Sequence, residues 1–183
     1  MHALNKKDHL KNGRISVLFI NFFACIELTN IFIMSDILEI ERLAWNLRRA
    51  IEKTEFTTPP MNCFPYGCCG KATIFLSEYL VEHGYNTKYY CGLCFLEEDQ
   101  NPESHAWVVL DNEIIADITG DQYKHRDVFL NYNLPVYVGI MDDFHKLFLT
   151  QEVFHKGGID SYDEYTRKIY RIEYNRIKDN LII

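Results

Sequence analysis

Two adjacent thiols, Cys68 and Cys69, stand where an amphipathic run begins, and His105 and Asp117 follow downstream. A cysteine in the first turn of a helix leans toward its reactive thiolate, because unpaired backbone N–H groups and the helix dipole favour negative charge there. The dipole contributes only about 0.3–1 kcal/mol, at most about 2, which is less than ~1.5 pKa units. A thiol of pKa about 8.5 is then still mostly protonated at neutral pH, so nucleophilic attack calls for a histidine partner. A carboxylate that fixes the imidazole completes the set. His105 heads the strand-like run HAWVVL, and Asp117 lies in the next, IIADIT.

Whether these two can meet depends on strand register. Side chains alternate between faces, so His105 and Asp117 share a face only when paired residue numbers add to an even sum. Pairing Leu110 with Ile114 around a three-residue loop, Asp111-Asn112-Glu113, does this, and three-residue loops are a common hairpin class. A two-residue Asp111-Asn112 turn does not. The even register puts His105, Trp107, Asp117 and Thr119 on one face. It leaves Ala106, Val108, Leu110, Ile114, Ala116 and Ile118 as a wholly apolar opposite face, and this segregation predicts the longer loop.

The surrounding elements follow from periodicity. Ile37, Ile40, Leu43, Ala44, Leu47 and Ile51 recur at helical spacing behind a capping Ser35, which predicts a helix ending near Lys53. Three prolines and a glycine mark residues 56–67 as a loop. A second helix is expected from about Cys69 to His83, with Ala72, Phe75, Leu76, Tyr79, Leu80 and His83 on one stripe and Gly84 as its stop. Strands are expected over residues 87–96, 105–110, 114–119 and 134–140, and a surface helix over 161–180. Grouped strands after a helix imply an α+β domain, the nucleophile-bearing helix packed on a largely antiparallel sheet.

A chain of 183 residues with 48% apolar residues supports one domain with a sizeable core, taken as a catalytic domain over residues 35–183. The net charge of −7 offers no basic field for phosphates, which excludes nucleic acid as an expected partner. Six cysteines, two of them vicinal, in a chain too long to need staples read as reduced thiols in a cytoplasmic protein. Residues 1–34 form an N-terminal extension. Within it, residues 15–34 are membrane-like in outline behind Lys6, Lys7, Lys11 and Arg14, but Asn21, Glu27 and Asn30 interrupt the run and no cleavage site follows. Membrane association is disfavoured but left open by residues 15–34, and a dispensable or misassigned extension, a packed element and a membrane or export segment are the alternatives.

GCC at 67–69 opening a helix, HAW at 105–107 opening a strand and DIT at 117–119 in the next resemble the transglutaminase-like cysteine enzymes, within the broader papain-like group. The similarity covers about residues 64–123, and the order Cys, His, Asp matches. It implies an acyl-thioenzyme resolved by water or an amine. It also implies that Cys69 rather than Cys68 is the nucleophile, since the family pattern is Gly-x-Cys and Gly67 stands two residues before Cys69. Gly70-Lys71 depart from the aromatic or acidic residues common in relatives, and no calcium-site set is recognisable. Hydrolysis or deamidation of a protein or peptide substrate is therefore expected over cross-linking, with no cofactor or metal. Oxyanion stabilisation falls to the Cys69 N–H with Asn62 or Gln122, and Cys68 and Trp107 are supporting candidates.

Two other readings compete. Cys91-Gly-Leu-Cys94 has ligand spacing, and Cys63 with Cys68 would complete a four-sulfur zinc module. The same fold could also serve as an inert interaction domain.

Overall fold

The structure, a computed structural model, describes residues 34–96, 102–111 and 113–182. The readings of residues 1–33 lie outside the described residues. Among the described residues no helix is long and apolar enough to cross a membrane.

Helix α1 spans residues 34–53 and buries Ile40, Leu43, Ala44, Leu47, Ala50 and Ile51, the stripe that its spacing predicts. Each large aliphatic side chain so buried contributes about 1.5–3 kcal/mol. Helix α2, Cys69–Glu82, carries Ala72, Phe75, Leu76, Tyr79 and Leu80 into the core. It stops where Gly84 takes φ +87°. Tyr85 N–H then bonds Leu80 O and Gly84 N–H bonds Val81 O, the paired bonds of a Schellman cap.

Five strands follow: β1 (Thr87–Cys94), β2 (Glu103–Leu110), β3 (Ile115–Asp117), β4 (Tyr137–Gly139) and β5 (Leu149–Lys156). They form one sheet in the order β4-β3-β2-β1-β5, and every neighbouring pair is antiparallel. The architecture is α+β, as expected. Val108 pairs with Ala116 and Val109 with Ile115, and Leu110 N–H bonds Ile114 O at 2.8 Å. The hairpin therefore has the even register, and Glu113 at φ +59° closes its loop in the left-handed region. The expected strand over 134–140 shrinks to β4, and β5 at the opposite edge is an addition to the expected set.

The two sheet faces have different covers. Trp107, Val109 and Ile115 pack with Cys94, Tyr123, Phe129, Phe144 and Phe148 on one side. On the other, a 2.5 Å hydrogen bond between Ser77 and Thr87 seats α2 on the face shared by Thr87, Ala106, Val108 and Leu110. Helix α3 (Glu164–Lys178) is capped by Asp163, whose carboxylate accepts the Thr166 N–H. It locks onto α2 by stacking Tyr174 on Phe75 with centroids 6.1 Å apart, by an Arg171–Glu78 ion pair, and by Lys71–Glu173 at 2.9 Å. These contacts bury Tyr174 and Ile177 and leave the opposite face of α3 exposed, the one-sided burial of a surface helix.

Candidate active site

Cys69 is the first residue of α2, and its sulfur docks on a gap in the sheet edge. In β2 the even-numbered N–H and C=O groups face β3, as the Leu110–Ile114 bond shows. Pairing with β3 is lost beyond Val108–Ala116, so the edge groups of Ser104 and Ala106 turn to other partners, the Ser104 carbonyl accepting from the Tyr123 hydroxyl at 3.0 Å. The Cys69 sulfur accepts the Ala106 N–H and lies 4.0 Å from Ser104 O. In a continued ladder Ala106 would face Ile118, but the Ile118 carbonyl accepts from Arg48 Nη1 at 2.8 Å. Arg48, on α1 and only 4% exposed, also grips Asp121 through two hydrogen bonds of 2.7 and 2.9 Å. A buried arginine thus holds open the sheet edge that receives the thiol. On the sequence alone, Arg48 is indistinguishable from a solvated helix residue.

His105 lies between those two edge groups and is fully buried. Its Nε2 bonds Asp117 Oδ2 at 2.8 Å, and its Nδ1 lies on the side of Cys69 and Gln122. The Asp117 carboxylate is itself fixed by its own turn, since Oδ1 accepts the Thr119 N–H at 2.8 Å and the Thr119 hydroxyl at 3.1 Å. Gly120 makes that turn fit: a Cβ there would stand 2.6 Å from the Tyr132 ring and 2.9 Å from Asp117 Oδ2.

The electrostatics follow from this geometry. Burial works against the Asp117 charge, yet His105 and His145 hold its carboxyl well below the usual carboxylate range. Burial also disfavours a charged His105 ring, but Asp117, with Cys69 behind it, pushes that ring up to about 9. For Cys69, burial raises the pKa, and hydrogen bonding and charge from His105, with the Ala106 N–H, outweigh it and bring the thiol below its ordinary value. Cys68 is the opposite case. Its sulfur is buried and donates to Pro65 O at 3.2 Å, and burial pushes it up to about 12.

No family model, curated protein or solved structure matches this chain.

Of the supporting candidates, Gln122 alone hydrogen-bonds within the site. Its Oε1 accepts the Gly67 N–H at 3.3 Å and its Nε2 lies 3.1 Å from His105 Nδ1, so one amide ties the loop before Cys69 to the imidazole. Trp107 is sealed in the core with its ring 5.7 Å from His105, which suits support and not donation to a substrate oxygen. Asn62 is elsewhere. It lines a groove with Ile51, Glu52, Phe56 and Phe64, and its side-chain oxygen accepts from the Cys63 thiol. Cys68 is a buried thiol turned to Pro65 O.

The zinc set does not converge. Cys91 is the register partner of Ala106 on the α2 face, whereas Cys94 belongs to the aromatic cluster on the other face. A spacing of three along a strand separates two side chains to opposite faces, so this CxxC cannot chelate. Cys63 is exposed and Cys68 buried. Among the described residues, His105, Asp117 and His145 place three ligand-type atoms within 4.8 Å of one another. His105 Nε2 and Asp117 Oδ2 are 2.8 Å apart, however, and tetrahedral bonds of about 2.0–2.2 Å would set ligand atoms ~3.3–3.6 Å apart. That gap suits a proton.

His145 is the member of the site that sequence reading missed. It sits in a short 3-10 turn, His145–Leu147, with its ring fully buried against Trp107 and Phe144. The segment DDFHKL has neither helical nor strand periodicity, and its one local signal, Asp142 three residues before His145, is an ordinary turn pattern.

Proposed function

We propose that this protein is a thiol-dependent acyl-transfer enzyme, with Cys69 as nucleophile, His105 as general base and acid, and Asp117 as the group that orients the imidazole. The observation that carries this reading is the position of the Cys69 sulfur, between the Ala106 N–H and the ring of a histidine whose far nitrogen is bound to a buried carboxylate.

The steps follow from the donors present. His105 Nδ1 takes the thiol proton, and the sulfur lone pair forms a C–S bond to an amide carbonyl carbon while the C=O pair moves onto oxygen. The Cys69 N–H, one of the first-turn donors that a helix leaves without an intrahelical partner, serves as the first donor to the developing oxyanion, and the Gln122 amide supplies the second. Nδ1–H then protonates the departing amine as the C–N bond breaks and leaves an acyl-thioenzyme. Water, deprotonated by His105, resolves it and restores the thiol. Asp117 keeps Nε2 protonated and steadies the ring whenever it is charged.

A protein or peptide amide is the substrate class this chemistry serves, through peptide cleavage or glutamine deamidation, and the resemblance to transglutaminase-like enzymes points the same way. The test is acylation by an activated ester, p-nitrophenyl acetate, with the acetyl group located by peptide mapping. Acetyl-thioester on Cys69 that forms in the wild type and fails to accumulate in His105→Ala is the expected result. Labelling spread evenly over the cysteines, or unaffected by His105, would sink the proposal.

A further inference from the structure

The proton inventory around His145 leads beyond the triad. Its Nδ1 lies 2.6 Å from Asp142 Oδ1, the same oxygen accepts the His145 backbone N–H at 2.9 Å, and Tyr132 donates to Asp142 Oδ2 at 2.9 Å. Despite burial, these hydrogen bonds keep Asp142 below the usual carboxylate range, so it is ionised. An ionised carboxylate only accepts, and His145 Nδ1 therefore carries a proton. On the other side of the ring, Nε2 is buried with no strict hydrogen bond and faces Asp117 Oδ2 at 3.4 Å. Asp117 is ionised as well. A bare Nε2 lone pair would meet a carboxylate lone pair in a dry pocket, a repulsion that a second proton turns into an ion pair.

We infer that His145 is held as an imidazolium between Asp117 and Asp142, and that it is a positioning residue which draws off part of the Asp117 charge and so sets the pH at which Cys69 becomes a thiolate. This rests on the acyl-transfer reading of Cys69, His105 and Asp117. The titratable groups that face the His145 ring are Asp117 on β3, Asp142 in its own turn, His105 on β2 with centroids 6.0 Å apart, Tyr132, and Tyr137 on β4 at 5.4 Å. Trp107 and Phe144 close the remaining sides and exclude water. Charge balance gives the same answer: two carboxylates meet here, and His105 alone cannot neutralise both while it cycles between base and acid.

The sign of the effect is fixed. A cation beside Asp117 and His105 offsets the Asp117 charge, which favours the protonated forms of both His105 and Cys69, so its removal makes both groups hold protons more tightly. His145→Gln should move the midpoint of Cys69 alkylation by iodoacetamide upward by about one pH unit, with the plateau rate at high pH retained. A filler role would lower stability and leave the midpoint in place, and that result overturns the inference. For a variant that fails to fold, the wild type answers by 15N NMR of its imidazole rings. Both nitrogens of His145 should remain protonated from pH 5 to 8, and a neutral ring at pH 7 overturns it equally. A wild-type Cys69 midpoint at the ordinary thiol value would overturn the acyl-transfer reading and the tuning role with it, whereas a depressed midpoint unmoved in His145→Gln overturns the tuning role alone.

Discussion

Ala106 donates its backbone N–H to the Cys69 sulfur at the point where β3 leaves β2. A helix tip and a strand edge thus share one hydrogen bond that a continuous ladder would have used. His105, between Ser104 and Ala106, reaches the sulfur because the strand is open there. The neighbouring Cys68 instead donates its S–H to Pro65 O, and the two thiols should differ sharply in chemistry. At pH 6.5–7, iodoacetamide should modify Cys69 well ahead of Cys68, which burial pushes up to about 12. Peptide mapping of the native protein checks this, and comparable rates at the two sites would mean that the sulfur of residue 69 lacks its base.

Asp117 gives the acid side of the stability curve. Its folded pKa lies below the unfolded value of about 3.9, so its contribution is complete above that value and is lost as pH falls through and below it. Asp117→Asn should flatten this acid-side loss. Because it leaves His105 and His145 without their shared anion, it should also cost about 3–5 kcal/mol at neutral pH. Urea unfolding at pH 7 and at pH 3.5 measures both, and a variant that keeps the wild-type pH slope assigns acid sensitivity elsewhere.

Much of this was legible in the chain, for physical reasons that name their own limits. The hairpin register could be read because Ala106, Val108, Leu110, Ile114, Ala116 and Ile118 are apolar without exception, and a shift of one residue would expose all of them. Helices α1 and α2 could be read from stripes that end at punctuating residues. Strand β5 could not, because LTQEVFHK mixes charged and polar residues in the manner an edge strand tolerates. Arg48 and His145 were illegible for a different reason: each owes its role in the site to a partner 73 or 28 residues away, Asp121 or Asp117, and the local pattern around it is that of an ordinary helix or turn.

Arg48 also tests how the site is held. Arg48→Met keeps a helix former of similar length but strands the Asp121 carboxylate and releases the Ile118 carbonyl toward Ala106. The expected cost is about 3–5 kcal/mol of stability, and a Cys69 alkylation rate that falls further than stability alone explains. Fast Cys69 alkylation in a folded Arg48→Met protein would show that the sheet edge stays open without the arginine.

Gly120→Ala tests the turn behind Asp117. The added methyl would meet the Tyr132 ring and Asp117 Oδ2 at distances that real Cβ atoms do not show, so the carboxylate or the ring must move. A loss of about 1–3 kcal/mol is expected from overpacking. The more telling readout is the His105 ring, whose imidazole N–H resonance should shift or broaden as Asp117 gives way. An unchanged resonance would place the strain entirely on Tyr132.

Gln122 stands where two functions compete, and that competition makes its prediction specific. In the site its Nε2 lies 3.1 Å from His105 Nδ1, a contact in which the ring accepts only while Nδ1 carries no proton. Once Nδ1 takes the thiol proton, two donors face each other, the amide is expelled from the ring, and its N–H becomes available to a carbonyl oxygen bound over Cys69. Its other end stays tied to Gly67 N–H, which limits how far it can swing. Gln122→Ala should therefore slow acylation of Cys69 by an activated ester by about 10²–10³-fold, the usual loss for one oxyanion donor. Alkylation by iodoacetamide develops no oxyanion and should change far less. Equal losses in the two reactions would assign Gln122 to holding the imidazole, and acylation at the wild-type rate would remove it from the chemistry altogether.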